Sequence, residues 1–98
     1  MIGDSVKTFD PWLTTCAVYL YGQECLCCIS EIDNKTEYTL VVPSCDWEIL
    51  EKEYADGVLA LSDAKQFVFF YHYVLRKTKD ARRMGGSWVS QAWVEGRV

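Results

Sequence analysis

Five cysteines and one histidine are the residues of this sequence best suited to metal binding or covalent chemistry. Thiolates and imidazoles are the usual ligands of structural zinc, and two of the cysteines commonly come from a short knuckle in a loop. Cys25 and Cys27 are separated by one residue, and Cys45 and His72 could complete a tetrahedral set. These four residues define one alternative function, a thiol- or zinc-dependent site.

The surroundings of the cysteines favour buried thiols over a metal site. Cys25 and Cys27 fall within a predicted strand rather than a loop, and Cys28 alternates to the opposite face of that strand. Free cysteine is among the most buried residue types, so we expect core thiols and no bound cofactor. An odd number of cysteines without an export signal also indicates a reducing compartment.

Catalytic motifs are not found in the sequence. A cysteine nucleophile would need His72 as its base and a third group to orient the imidazole, but no local motif surrounds this histidine or the cysteines. Gly85-Gly86 follows a predicted helix rather than preceding one, so it cannot hold a phosphate at the N-terminus of that helix. We therefore expect a protein that is not an enzyme.

The composition indicates one folded domain over residues 1–98. Half of the residues are hydrophobic and 14% are aromatic, which is too apolar for a disordered chain. No apolar run is long enough to cross a membrane. Residues 1–5 show neither the basic nor the apolar part of a signal peptide. We expect a cytoplasmic protein without membrane contact.

Charge is distributed unevenly along the chain, although the net charge is only −4. Residues 1–62 carry eleven acidic and three basic side chains, a net of −8, whereas residues 63–98 carry a net of +4. A chain with two unlike halves can associate with itself or present different surfaces to two partners.

The segment Trp12–Tyr21 is rich in aromatic and β-branched residues and is predicted to be a strand. Gly22-Gln23 would then form a two-residue hairpin turn, in which glycine supplies the positive φ. A second turn within residues 33–36 would pair Ile29 with Leu40. Both turns place the same apolar side chains on one face, which predicts a three-stranded antiparallel meander.

The first predicted helix follows the third strand. Ser44 is a plausible N-cap, and Trp47, Leu50 and Tyr54 recur at helical spacing. Gly57 can end the helix in the left-handed conformation. The acidic residues of this segment lie away from the apolar stripe, which predicts a short acidic helix.

The second predicted helix runs from a cap at Ser62-Asp63 to Gly85-Gly86. Its basic residues gather at the C-terminal end, where the helix dipole favours them. The alternative is a long central strand, because residues 67–73 are rich in β-formers. Residues 87–94 are predicted to be a fourth strand, with a short helix as the alternative. The apolar stripe of the second helix consists of Ala64, Phe67, Val68, Tyr71, Val74 and Leu75.

These elements predict an α+β fold with a three- to four-stranded antiparallel sheet that begins with the meander. Two helices are expected to pack on the sheet face that carries Cys27, Ile29 and Leu40. The second helix has more aromatic side chains than this small sheet can cover, and exposed aromatics beside arginine are typical of protein interfaces. The partner-binding residues predicted on this aromatic helix are Phe69, Phe70, Tyr73 and Arg76.

The function that these features favour is a small non-catalytic protein-binding module. It could be an inhibitor or adaptor that acts on a larger host protein, as phages and mobile elements encode, and the aromatic helix could also form a homodimer. The acidic helix could occupy a basic channel of the target. Its predicted partner-binding residues are Asp46, Glu48, Glu51 and Glu53.

Nucleic acid is the alternative partner. The basic end of the second helix and the aromatics near it could hold a phosphate backbone and stack on bases. The net charge of −4 argues against it, since nucleic-acid-binding domains are usually basic. The basic residues predicted for this role are Lys77, Lys79, Arg82 and Arg83.

Overall fold

The computed structural model describes residues 4–57 and 63–90, and it describes residues 44 and 45 by their backbone alone. These ranges contain four antiparallel strands and three α-helices, which confirms the α+β class. The elements in chain order are β1 (Asp4–Thr8), α1 (Pro11–Tyr21), β2 (Leu26–Ile32), β3 (Lys35–Val42), α2 (Ser44–Asp56), α3 (Ala64–Arg83) and β4 (Ser87–Val89), with a 3-10 turn at Gln23–Cys25 between α1 and β2.

Helix α1 replaces the first strand predicted from the sequence, so that prediction is wrong. The Asp10 side chain accepts hydrogen bonds from the backbone N–H groups of Trp12 (2.8 Å) and Leu13 (3.3 Å), and Pro11 occupies the first turn. Both features start helices. Gly22, at φ 94°, ends the helix and is not part of a hairpin turn.

The sheet has the order β1-β3-β2-β4, which differs from the predicted meander because β1 was not anticipated. The β2–β3 hairpin is confirmed. Its two-residue turn consists of Asp33 and Asn34, both with positive φ. Ile29 lies opposite Tyr38 rather than Leu40. The register shifts between Leu26 and Cys28, so Leu26 pairs with Leu40 and lies on the face that was predicted to carry Cys27.

Helix α2 follows the prediction except at its start. Pro43 is at the N-cap position, so Ser44 is the first helical residue and not the cap. Trp47 and Leu50 are buried. Gly57 ends the helix in the left-handed conformation at φ 71°, because glycine adopts positive φ without a steric penalty.

Helix α3 confirms the predicted long helix and excludes the alternative central strand. The Asp63 side chain caps it by accepting from the N–H of Gln66 at 3.1 Å, while Ser62 lies outside the described residues. Gly86 closes the other end by donating its N–H to the Ala81 carbonyl at 2.8 Å. Strand β4 follows, and the remainder of the segment predicted as strand, from residue 91, is outside the described ranges.

The core is one cluster to which all three α-helices, β2 and β3 contribute. Helix α1 is buried most completely, with every residue from Leu13 to Val18 buried. Helix α3 packs against α1 and β2. No described helix is long and apolar enough to cross a membrane. The largest fully buried side chains are Leu26, Ile29, Leu40, Val18, Val42 and Val74.

Candidate binding cleft

A cleft of about 350 Å³ opens between the β1–α1 junction, the start of β3 and the C-terminal half of α3. Three of the side chains that line it are cationic, and no acidic side chain is among the described residues of its wall. The lining residues are Phe9, Pro11, Lys35, Thr36, Tyr38, Leu75, Thr78, Lys79 and Arg82.

The floor of the cleft is a buried pair of hydroxyl groups. The Tyr38 and Thr78 hydroxyl oxygens are 3.1 Å apart, and the Thr78 hydroxyl donates to the Val74 carbonyl at 2.8 Å. Tyr38 must therefore be the donor to Thr78, since a threonine hydroxyl has one proton. Burial raises the pKa of Tyr38, so the floor is uncharged at neutral pH and the charges of the cleft lie on its three cations.

Two of the cations at the rim contact neighbouring side chains. The Arg82 Nε donates to the Glu31 carboxylate at 3.2 Å, and the Arg82 side chain is still 64% exposed. Thr36 donates to the same Glu31 oxygen at 2.9 Å. A guanidinium has five N–H donors, so Arg82 can bind an anion while Nε stays occupied. The ammonium of Lys35 lies 5.9 Å from the Phe9 ring centroid.

Exposed aromatic rings adjoin the same cleft. Phe9 is 53% exposed and Trp12 is 47% exposed. The Trp12 ring stacks on Tyr71 with centroids 4.1 Å apart and extends towards Phe67 at 6.3 Å. The stack fixes the indole orientation while leaving nearly half of the ring exposed.

No protein-family model, curated protein or solved structure matches this chain.

The predicted aromatic-helix residues divide into two groups. Phe69 is 53% exposed, and Arg76, one heptad later, is exposed as well. Phe70 and Tyr73 are partly buried and pack against the core. Only the first pair therefore offers a surface to a partner, because α3 turns its Phe67–Phe70 side rather than its Val68 side towards the sheet and α1.

The predicted basic residues are only partly available. The ammonium of Lys77 lies 5.4 Å from the Trp88 ring and 5.6 Å from the Tyr73 ring, and 3.9 Å from the Asp80 carboxylate. Lys79 and Arg83 are exposed. The fourth predicted residue, Arg82, shares the cleft with Lys79.

The predicted acidic residues lie on two sides of α2. Glu48 and Glu51 are exposed. Asp46 and Glu53 instead line a shallow depression of about 120 Å³ together with apolar side chains of α1 and α2. Two of these apolar side chains are well exposed, Leu20 at 46% and Ile49 at 57%.

The cysteines are free thiols inside the fold. Cys16, Cys25 and Cys27 are buried, and Cys28 is partly buried. Burial raises the pKa of Cys16 to about 11 and that of Cys25 to about 12, which keeps both thiols protonated and unreactive at neutral pH.

The zinc alternative finds little support in these positions. In the described part of the chain, no group of three or more His, Cys, Asp or Glu side chains is placed to hold a metal ion. His72 is exposed on α3, whereas Cys25 and Cys27 are buried. The Cys45 side chain lies outside what the structure describes.

The cleft residues Phe9 and Lys35 were not anticipated from the sequence. A usable signal was present in Asp10-Pro11, because an acidic N-cap followed by proline marks a helix start. A helix starting there would have placed Phe9 directly before its N-cap.

Proposed function

We propose that this protein is a small non-catalytic protein-binding module whose cleft binds an acidic segment of a partner protein. The observation that carries the proposal is the exposure of Phe9 in a cleft that also contains Lys35, Lys79 and Arg82 and whose described lining residues include no acidic side chain. An inhibitor or adaptor acting on a larger protein is the role that fits a module of this size.

The chemistry of the cleft sets the partner's requirements. Aromatic anchors and arginine are the side chains that contribute most to binding free energy at protein interfaces. Carboxylates bind a guanidinium through charge-assisted, often bidentate hydrogen bonds. A segment with two or three acidic residues around one large apolar residue would satisfy both the rim and the apolar wall formed by Phe9 and Leu75.

The proposal is tested with a fluorescently labelled peptide of six glutamates around a central leucine, whose binding is followed by fluorescence anisotropy. We expect Lys79→Glu and Phe9→Ala each to weaken binding by about tenfold or more, a loss of about 1.4 kcal/mol. Lys65→Glu is the matched control, because Lys65 is exposed on α3 but does not line the cleft. Equal binding by wild type and Lys79→Glu would refute the proposal.

A single-stranded nucleic acid is the second candidate, favoured by the exposed Phe9 ring in the same cleft as Lys79. Bases would stack on the ring while the cations bind phosphates. The acidic α2 and the net charge of −4 oppose it. A labelled oligonucleotide mixed with the protein at low salt distinguishes the two candidates: binding that falls steeply with added salt would favour nucleic acid, and absence of binding would remove it.

A further inference from the structure

Helix α1 separates two surfaces of opposite charge. Pro11, its first residue, lines the basic cleft, and Leu20 and Tyr21, its last two residues, line the depression beside α2. The helix has 11 residues, which corresponds to a length of about 16 Å. Because its middle is buried in the core, α1 holds the two surfaces apart as a fixed spacer, and they cannot meet within one molecule.

The surface at the far end of α1 is both acidic and apolar. We call it the α2 patch; it consists of Leu20, Asp46, Ile49 and Glu53. The last three residues are spaced i, i+3 and i+7, so they share one side of α2. An exposed isoleucine thus lies between two carboxylates that are about 10 Å apart along the helix axis.

The cleft has the complementary arrangement. Its cations Lys35, Lys79 and Arg82 line the same wall as the apolar residues Phe9 and Leu75, and the Lys35 ammonium lies 5.9 Å from the Phe9 ring centroid. An apolar centre with acidic flanks therefore matches an apolar wall with basic flanks, and both lie on the same chain. Opposite potentials of this kind favour encounter and fix the register of two docked surfaces.

We propose that the α2 patch of one copy docks into the cleft of a second copy, which joins the molecules head to tail. The proposal goes beyond the binding of a foreign partner but uses the same cleft as the proposed function. A docked pair still offers one unoccupied cleft and one unoccupied patch, so the contact is heterologous and leads to open chains or a closed ring. Since both surfaces are small and partly ionic, the association is weak and depends on salt.

The decisive experiment uses two variants, each of which lacks one surface. Ile49→Arg/Glu53→Arg removes the α2 patch and keeps the cleft, and Lys35→Glu/Lys79→Glu removes the cleft and keeps the patch. In sedimentation velocity at about 20 mM salt, where screening is weak, the wild type is expected to form species that grow with concentration. Each variant alone is expected to stay monomeric.

Mixing the variants gives the sharpest outcome. The first variant retains a cleft and the second retains a patch, so an equimolar mixture should associate although neither variant does so alone. The two positive side chains at positions 49 and 53 and the two negative ones at positions 35 and 79 would also attract, so the mixture is repeated with Ile49→Ser/Glu53→Gln as the patch-deficient partner. Only the contact between the native cleft and the native patch remains in that mixture, which should form a one-to-one dimer and nothing larger.

Matched controls change the same charges elsewhere. Glu48→Arg/Glu51→Arg lies on α2 outside the patch, and Lys65→Glu/Arg83→Glu lies on α3 outside the cleft; both should associate like the wild type. A monomeric wild type at low salt and high concentration, or a loss of association in these controls equal to that in the surface variants, would overturn head-to-tail docking. The glutamate peptide titration then decides separately whether the cleft binds a foreign segment.

Discussion

The indole ring of Trp12 lies parallel to the phenol ring of Tyr71, with their centroids 4.1 Å apart and their planes within 4°. This contact joins the first turn of α1 to the middle of α3 at the border of the basic cleft. The indole thus packs the two helices together while 47% of Trp12 stays exposed.

Replacing Trp12 tests this packing. Trp12→Ala should lower the free energy of unfolding by about 1–3 kcal/mol, since it removes a stacked aromatic pair and the buried half of the indole. Trp12→Phe should retain most of the stability because a phenyl ring can still stack. Urea denaturation followed by circular dichroism measures both, with Val68→Ala as a control at a similarly exposed position. If Trp12→Ala unfolded like the wild type, the stack would not contribute to stability.

The hydroxyl pair under the cleft predicts a non-additive result. Thr78→Val removes the acceptor of the buried Tyr38 hydroxyl and should cost about 1–3 kcal/mol, because an unsatisfied buried donor loses its hydration without compensation. The double variant Tyr38→Phe/Thr78→Val should lose less unfolding free energy than the sum of the losses of the two single variants. Denaturation of all four proteins closes the double-mutant cycle. Additive losses would show that the two hydroxyls do not interact.

Alkaline pH should destabilise the fold. Burial raises the pKa of Tyr54 from 10.0 to about 12, and the hydrogen bond to Asp10 and the negative charge of Asp10 add to this effect. Burial also raises the pKa of Cys16 from 9.0 to about 11 and that of Cys25 from 9.0 to about 12. The unfolded chain therefore loses these protons first, so stability falls as pH rises from about 9 to about 12. Tyr54→Phe should flatten the part of this decline above pH 10. An unfolding midpoint that stays constant from pH 8 to pH 11 would contradict the burial of these groups.

The turn of the β2–β3 hairpin predicts opposite effects for two substitutions at one position. Asn34 has a φ of 65° and follows Asp33, at 51°. Asn34→Gly should leave stability unchanged or raise it slightly, since glycine is favoured in such turns. Asn34→Val should lower the free energy of unfolding by about 1–2 kcal/mol, because a β-branched residue is strained at positive φ. Thermal unfolding measures the stability of both variants. If the Asn34→Val protein were as stable as the Asn34→Gly protein, position 34 would not have a positive φ.

Parts of the fold were predictable because local signals and burial agree there. Three of these places require a positive φ, which few residue types adopt. They are the Asp33-Asn34 turn, Gly57 at the end of α2, and Gly85 and Gly86 after α3. Helix α3 has a single buried side, with Val74, Thr78 and Ala81 at helical spacing, so its period is visible in the sequence. Which of its aromatic rings face outwards was less predictable, because rings line several of its sides.

Helix α1 was not predictable from its pattern of side chains. Its residues 13–18 are all buried, and a helix buried on every side has no apolar stripe to reveal its period. Its valine, threonines and aromatic residues favour strands when taken alone, and tertiary packing overrides that preference. Strand β1 was missed for the opposite reason: it lies at the sheet edge, and its polar sequence carries little apolar alternation.

The candidate cleft depended on those two elements and was missed with them. Phe9 and Pro11 line the cleft, and they lie there because β1 ends at Thr8 and α1 begins at Pro11. Lys79 and Arg82 were predicted as basic residues of a helix end, but the sequence did not indicate that β3 would bring Lys35 and Tyr38 beside them. Such long-range proximity follows from strand order, which local patterns do not determine.

The order of the strands also has a consequence during synthesis. Strand β1 pairs with β3, as in Asp4 opposite Val42, and these partners enclose α1 and β2 in the chain. Residues of α1 have weak helix preference of their own, so this helix depends on a sheet that does not exist until β3 has left the ribosome. The stretch from β1 to β2 must therefore leave the ribosome with its apolar side chains uncovered, and a chaperone that shields it would act before the β1–β3 pairs can form.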